Sequence, residues 1–288
     1  MNAVPRVSVC IPAYAAAAFL RSAVQSVLDQ TYGDLEVIVV DDASTDGTLE
    51  SISGLSDPRI RRYSNPSNLG GGANWNRAAS LARGKWIKIL CSDDLLRPRC
   101  LEEQVRILED PRWADVGLVC GWRDVIDAGG KRILTRTTGG LRHHVAGRAA
   151  LRAIVRSGTN PLGEPAAVLF RRELLEKTGP FDGSNPFMLD IDMWSRMLLS
   201  ADLYAVPSVV CAFRVSGDSW SVQLARRQSH SYRRWIDRIS RDPRYGLGTG
   251  ELLLGRFKSA GLNLARLAFY MGFVSRISFG KGAKSGRR

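Results

Sequence analysis

Residues 35–48 read LEVIVVDDASTDGT, and residues 85–94 read KWIKILCSDD. Each is a short, mostly apolar run that passes straight into a pair of carboxylates, Asp41 and Asp42 in the first and Asp93 and Asp94 in the second. Runs of this length and composition are strand-like. Two strands that each end in an acidic pair place four carboxylates on one edge of a sheet. In open α/β sheets the carboxyl edge is where ligands bind. Adjacent carboxylates repel one another, so a cation or hydrogen-bond donors must compensate for the cluster.

Working outward, Val7 to Ile11 predicts a first strand, followed by Pro12, Ala13 and Tyr14 and then a helical stripe of Leu20, Val24, Val27 and Leu28. Ser44, Thr45 and Asp46 suit the cap of a short helix. Arg59 to Tyr63 predicts a strand, Asn74 to Arg83 a helix stopped by Gly84, and Arg99 to Leu108 the helix after the second acidic pair. Strand and helix alternate, which predicts an α/β fold with a mostly parallel sheet and flanking helices. Beyond it, Val116 to Val119, Ala166 to Phe170 and Val206 to Phe213 read as strands, with a Gly-Gly turn between Asp127 and Lys131. Arg172 to Lys177 reads as a short helix and Asp190 to Ser200 as an amphipathic one. Residues 132–162 show little pattern and predict a long irregular segment, a feature usually mobile or functional.

The chain has 288 residues and a formal net charge of +13. The charge is uneven: residues 1–221 hold 26 basic and 25 acidic side chains, residues 222–288 hold 15 and 3. This divides the chain into a near-neutral body, 1–221, and a basic helical extension, 222–288. The five cysteines are widely spaced with no C-x-x-C pair, which argues against a disulfide framework or zinc site and for a reducing cytoplasm. Val7 to Leu20 is apolar enough to compare with a signal peptide, but Arg6 alone precedes it as a charge and Pro12 interrupts it. Leu267 to Ser275, nine residues, is too short to span a membrane, which takes about 20.

The order of these pieces, strand then Pro-Ala-Tyr, strand then Val-Val-Asp-Asp-Ala-Ser-Thr-Asp-Gly-Thr, strand then Cys-Ser-Asp-Asp, resembles glycosyltransferase family 2, inverting nucleotide-sugar enzymes of the GT-A fold. The likeness runs from about residue 6 to 221, through Gly163-Glu164-Pro165, Gly179 to Asp182 and Asp190 to Arg196. It implies that Pro12, Ala13, Tyr14, Asp41, Asp42, Asn76, Ser92 and Asp93 bind the nucleotide sugar, and that Asp93 and Asp94 hold Mn²⁺ or Mg²⁺. A nucleoside diphosphate is a charged leaving group, and a hard cation held by carboxylates and phosphate oxygens is the usual means of stabilising it. Asp190 matches the family's base, which takes the proton of the attacking hydroxyl; Asp192 reads as a first-turn carboxylate. Two departures stand out: Cys91 occupies the first acid of the acid-x-acid element, and Arg214-Val215-Ser216 lacks the histidine of Arg-x-His. Gly70-Gly71-Gly72 has neither P-loop nor dinucleotide spacing and reads as a turn before a helix. His143 and His144 read as a solvated pair.

In the extension, Leu253, Phe257, Ala260, Leu264, Leu267, Met271 and Val274 fall on one helical face. One reading packs that face on the body or on a twin subunit; the other lays it on anionic lipid, helped by Lys281, Lys284, Arg287 and Arg288. The sequence thus points to a cytoplasmic enzyme, peripheral on the inner membrane face in the second reading. It would transfer sugar from a UDP-sugar, the commonest donor by family frequency, to a glycan or lipid-linked acceptor in surface polysaccharide assembly. The rival is a GT-A domain without turnover that binds nucleotide, membrane or, least favoured, nucleic acid.

Overall fold

The computed structural model describes residues 4–215 and 228–263. The elements are β1 (Val7–Ala13), α1 (Leu20–Leu28), β2 (Leu35–Asp41), β3 (Ile60–Ser64), α2 (Gly71–Ser80), β4 (Trp86–Ile89), β5 (Leu95–Leu96) and α3 (Cys100–Glu109). They continue with β6 (Val116–Ile126), β7 (Arg132–Arg136), β8 (His143–Val145), α4 (Gly147–Ser157), β9 (Leu169–Arg171), α5 (Arg172–Thr178), α6 (Leu189–Met197), β10 (Asp202–Arg214) and α7 (Gln228–Ser240). A further helix, α8, covers residues 249–263.

One sheet runs in the order β3-β2-β1-β4-β9-β6-β10-β5, with β7 on β6 and β8 on β10. Its first four strands are parallel. The second half is mixed: β9 is antiparallel to both β4 and β6, β10 is parallel to β6, and β5 and β8 are antiparallel to β10. Strands β1, β2 and β4 are buried at every position, as expected of strands covered on both faces. Two charges inside them are answered locally. Glu36 accepts from Ser8 Oγ (2.7 Å), Arg61 (2.8 Å) and the Arg83 N–H (2.9 Å). Burial pushes its carboxyl up, but these bonds outweigh burial and hold it below the ordinary range. Lys88, fully buried, donates through Nζ to the carbonyls of Ala166 (2.8 Å) and Val168 (3.1 Å), and burial pulls its pKa down.

Apolar side chains fill both faces. Leu20, Val24, Trp86, Leu101 and Val105 belong to one cluster; Ile38, Ile87, Phe170 and Trp194 belong to the other. Tyr232, Trp235, Ile236 and Ile239 of α7 join the second cluster, so the described start of the basic extension shares the core of the body.

Residues 132–162 are more ordered than their sequence predicts. Asp127 Oδ1 accepts the Lys131 N–H (2.9 Å), closing the turn between β6 and β7. Helix α4 buries Ala150, Leu151, Ile154 and Val155, a helical pattern masked in sequence by Arg148, Arg152 and Arg156 on its outer face. All five cysteines are free thiols. Among the described residues, no helix is long and apolar enough to cross a membrane.

Candidate active site

The loops after β1 and β2 lie side by side because parallel register pairs Ala13 with Asp41. Pro12 and Ala13 are buried at the end of β1, whereas Tyr14 is 59% exposed and is no part of the core. The two loops are laced together. Ala15 N–H donates to Ser44 Oγ (3.0 Å), Ala16 N–H to Thr48 Oγ1 (2.9 Å) and Ala17 N–H to Asp46 Oδ2 (3.0 Å). Asp46 also accepts the Thr48 N–H (3.1 Å), so it fixes this junction; the only helix that follows before β3 is a single 3₁₀ turn at Glu50–Ile52, and no side chain caps it.

Asp41 and Asp42 are both buried. Asp41 accepts the Ser44 N–H (3.1 Å) and the Ser44 hydroxyl. Asp42 accepts Asn65 Nδ2 (2.6 Å) and the N–H groups of Leu69 and Gly70 (2.9 Å each). Its carboxylate therefore clamps the 65–70 loop, a role that the pattern of the sequence alone did not reveal. Asn76 differs more sharply from its expected place on the donor. Its amide Nδ2 donates to the Phe181 carbonyl (2.9 Å) and its Oδ1 accepts the Phe181 N–H (2.8 Å). Both ends of the amide are committed to joining α2 to the loop before α6.

At the end of β4, Ser92 and Asp93 are partly exposed and Asp94 is fully buried. Asp94 Oδ1 accepts the Arg214 N–H (2.9 Å), while Asp94 Oδ2 is buried with no hydrogen-bond partner. The Arg214 side chain is anchored elsewhere, on the carbonyls of Asp93 (2.8 Å), Asp127 (3.2 Å) and Ala128 (3.0 Å) and over the Phe19 ring. Burial pushes both carboxyls up, and the charge of Asp93 pushes Asp94 further. An orphaned buried oxygen beside a second under-neutralised carboxylate fits a hard divalent cation. Among the described residues no three His, Cys, Asp or Glu side chains converge as a metal cage. The Asp pair would therefore need phosphate and water oxygens to complete a coordination sphere, as Mg²⁺ usually does.

Cys91 identifies the other members of this cluster. Burial raises its thiol well above the ordinary value, and the charges of Asp94, Asp93, Asp190 and Glu164 raise it further, so all five groups share one field. Asp190 stands at the start of α6, partly buried. Its Oδ2 accepts Asn160 Nδ2 (2.8 Å) and its Oδ1 accepts the Ile191 N–H (2.7 Å). Burial, with help from Glu164, pushes its pKa up to about 7. Asp192, two residues on, turns away into the core and pairs with Arg196 (3.0 Å) and with Arg238 of α7.

Sequence reasoning missed the shell around Asp190. Arg123, buried on β6, forms an ion pair with Glu164 (2.7 Å) and donates to the carbonyls of Thr137 (3.1 Å) and Asn160 (3.2 Å). Burial alone would raise the Glu164 carboxyl, but Arg123 and Arg136 hold it below the ordinary range. Gly163 precedes it at φ +97°, where a Cβ would lie 2.8 Å from Ala167 Cβ and 3.2 Å from Arg123 Cδ. Only glycine suits that bend. The one available sequence signal was Gly163-Glu164-Pro165, whose partner Arg123 stands 41 residues earlier.

His143 and His144 lie on β8 at the far end of β10. His144 Nε2 meets Asp202 Oδ2 (2.7 Å) and its ring stacks on Trp113, while both histidines remain exposed, as the sequence reading expects.

The chain matches the family model Glycosyl transferase family 2 over residues 8–179 and belongs to that family. Hyaluronan synthase of Pasteurella multocida is 46% identical over 104 residues, covering 35% of this chain and 11% of that protein. Among solved structures, mannosyltransferase PcManGT of Pyrobaculum calidifontis in complex with GDP-Man and Mn²⁺ is similar with a TM-score of 0.64 at 22% identity, covering 98% of this chain and 81% of that one. Residues 1–349 of S. aureus TarS in complex with UDP-GlcNAc give a TM-score of 0.64 at 17% identity, covering 81% and 66%. These likenesses establish the GT-A fold. The protein is a glycosyltransferase by family.

Proposed function

We propose that this chain is a metal-dependent, inverting glycosyltransferase that moves a sugar from a nucleotide-sugar donor to a glycan or lipid-linked acceptor in surface polysaccharide assembly, at the cytoplasmic side of a membrane. One observation carries the reading: Asp94 Oδ2 is buried without a hydrogen-bond partner beside Asp93 at the end of β4, and Asp190, pushed up to about 7, is near enough for its charge to act on the same Cys91 thiol as theirs. A base matched to neutral pH is suited to proton transfer in the transition state.

Tyr14, exposed above the laced loops, offers a face for the donor base, with Pro12 and Ala13 forming the floor. Asp41 and Ser92 border the same edge and would take ribose or phosphate contacts. Bound to Asp93 and Asp94, Mn²⁺ or Mg²⁺ would neutralise charge on the diphosphate leaving group. Asp190 accepts the proton of the acceptor hydroxyl as that oxygen bonds to the anomeric carbon. The bond to the diphosphate breaks on the opposite face, so configuration inverts. Asn160 and the Ile191 N–H fix the orientation of the carboxylate.

The ligands of the similar structures, GDP-Man and UDP-GlcNAc, support a nucleoside diphosphate sugar, with UDP preferred on family frequency. Incubating the protein with UDP- and GDP-sugars, Mn²⁺ and oligosaccharide or polyprenyl-phosphate sugar acceptors, and reading the product's anomeric configuration by NMR, tests the proposal. An inverted product absent with Asp190→Asn supports it; a retained configuration contradicts it. The second reading, a nucleotide binder without turnover, draws on Cys91 in place of the first acid. It would show nucleotide binding with no product from any acceptor.

A further inference from the structure

Helix α8 packs on the body through its small residues. Gly255 lies so close to α4 that a Cβ there would stand 2.2 Å from the Val155 carbonyl oxygen, and Ser259 is buried with its N–H 2.5 Å from a Cβ built on Gly158. That contact turns the apolar stripe outward. Leu253 is 57% exposed, Leu254 39%, Phe257 80% and Leu262 40%. Of the described members of the stripe, Leu253 and Phe257 are therefore exposed and not packed on the described body, while Ala260 is half-buried. The members from Leu264 onward lie outside the described residues.

A cavity of about 470 Å³ opens beside this face, lined by Arg233, Asp237, Arg256, Phe257 and Ala260. Arg256 pairs with Asp237, while Arg233, which lines the same cavity as Phe257, is exposed. Arg234 of α7 and Lys258 of α8 are exposed as well. Fifteen basic and three acidic residues in 222–288 make this end of the chain strongly cationic.

We infer that the outer face of α8 docks on an anionic phospholipid bilayer, Leu253, Leu254 and Phe257 entering the acyl boundary while Arg233 and Lys258 meet lipid phosphates. Apolar side chains flanked by arginine and lysine are what an interfacial helix presents to such a surface. Charge decides among occupants. A second copy would bring an equally cationic end against this one, and a nucleic acid would leave Leu253 and Phe257 unused. The inference bears on the proposed acceptor, since Gly158, which touches Ser259, is two residues from Asn160, the partner of Asp190.

The test is co-sedimentation of the full chain with phosphatidylcholine vesicles, with and without phosphatidylglycerol, at low and high salt. Binding should require phosphatidylglycerol and weaken at high salt. The double variant Leu253→Ser, Phe257→Ser should lower the partition by tenfold or more, about the effect of losing two apolar anchors. Arg233→Glu with Lys258→Glu should lower it about fivefold or more per site. These positions are exposed, so the variants should keep the parent's melting temperature and its stabilisation by nucleotide and Mn²⁺. That readout separates failure of the docking face from failure of the transferase assignment. Parent-level vesicle binding by the double serine variant would overturn the inference, as would a concentration-dependent dimer that the same substitutions dissolve.

Discussion

The proposed donor and acceptor sides of the candidate site are built differently. On the donor side, Asp41 belongs to its own strand and Asp42 follows directly, and each meets partners within 30 residues of itself: Ser44 for Asp41, Asn65, Leu69 and Gly70 for Asp42. On the acceptor side, Asp190 depends on Asn160, which is held by Arg123 of β6, which also holds Glu164. Local chain geometry shapes the first; pairing between distant segments shapes the second. A parallel strand that ends in carboxylates delivers them to the ligand edge by topology alone. A base raised to neutral pH needs burial and a second charge, and those come from elsewhere in the fold.

The sharpest way to break this comparison is at Asp190. Asp190→Asn should lower transfer by about 10²-fold or more, with donor binding unchanged in a nucleotide thermal shift. Because burial and Glu164 hold the native carboxyl at about 7, the parent should gain activity as pH rises through that value. The sign for stability is the reverse. A raised carboxyl favours the protonated folded state, so ionisation destabilises the fold progressively above the unfolded carboxyl's pKa and up to about 7. Asp190→Asn should therefore melt higher than the parent at pH above 7, read by calorimetry. Arg123→Met carries the test to the shell. With Glu164 left to Arg136 alone beside Asp190, the acid limb of the rate profile should move to higher pH, and the fold should weaken by about 3 kcal/mol from the broken buried pair.

Next comes the donor side. Tyr14→Ala should weaken nucleotide binding about tenfold through lost stacking, seen as a higher KM with little change in kcat. The smallest effect belongs to Asn76→Ala, which removes two hydrogen bonds to Phe181 and should cost about 1–3 kcal/mol in urea unfolding, with the affinity for nucleotide preserved. A loss of affinity there would return Asn76 to the donor site.

The same contrast explains what could be read in advance. β1, β2 and β4 were legible because strands covered on both faces are almost wholly apolar, and Asp41, Asp42, Asp93 and Asp94 could be placed on an edge from their position alone. How each is partnered within the fold was not legible. Asp42 takes the N–H groups of Leu69 and Gly70, and Asp94 Oδ1 takes the Arg214 N–H, 120 residues away. Helix α4 was hidden because its arginines face outward and the segment around it is rich in glycine and polar residues. In α8 the apolar stripe was found, but not its direction. Close packing favours Gly255 and Ser259 against α4 over the larger leucines, and hydrophobic periodicity does not register that preference.

The central claim is that Asp93 and Asp94 hold a cation for a nucleoside diphosphate. It is tested most directly by a thermal-shift screen of UDP, GDP, dTDP, CMP and ADP, with and without Mn²⁺, on the parent and on Asp93→Asn. A ligand bound by the folded state raises the melting temperature. The account predicts stabilisation by a nucleoside diphosphate that requires Mn²⁺ and disappears in Asp93→Asn. Stabilisation that is indifferent to Mn²⁺, or that survives the substitution, would contradict it.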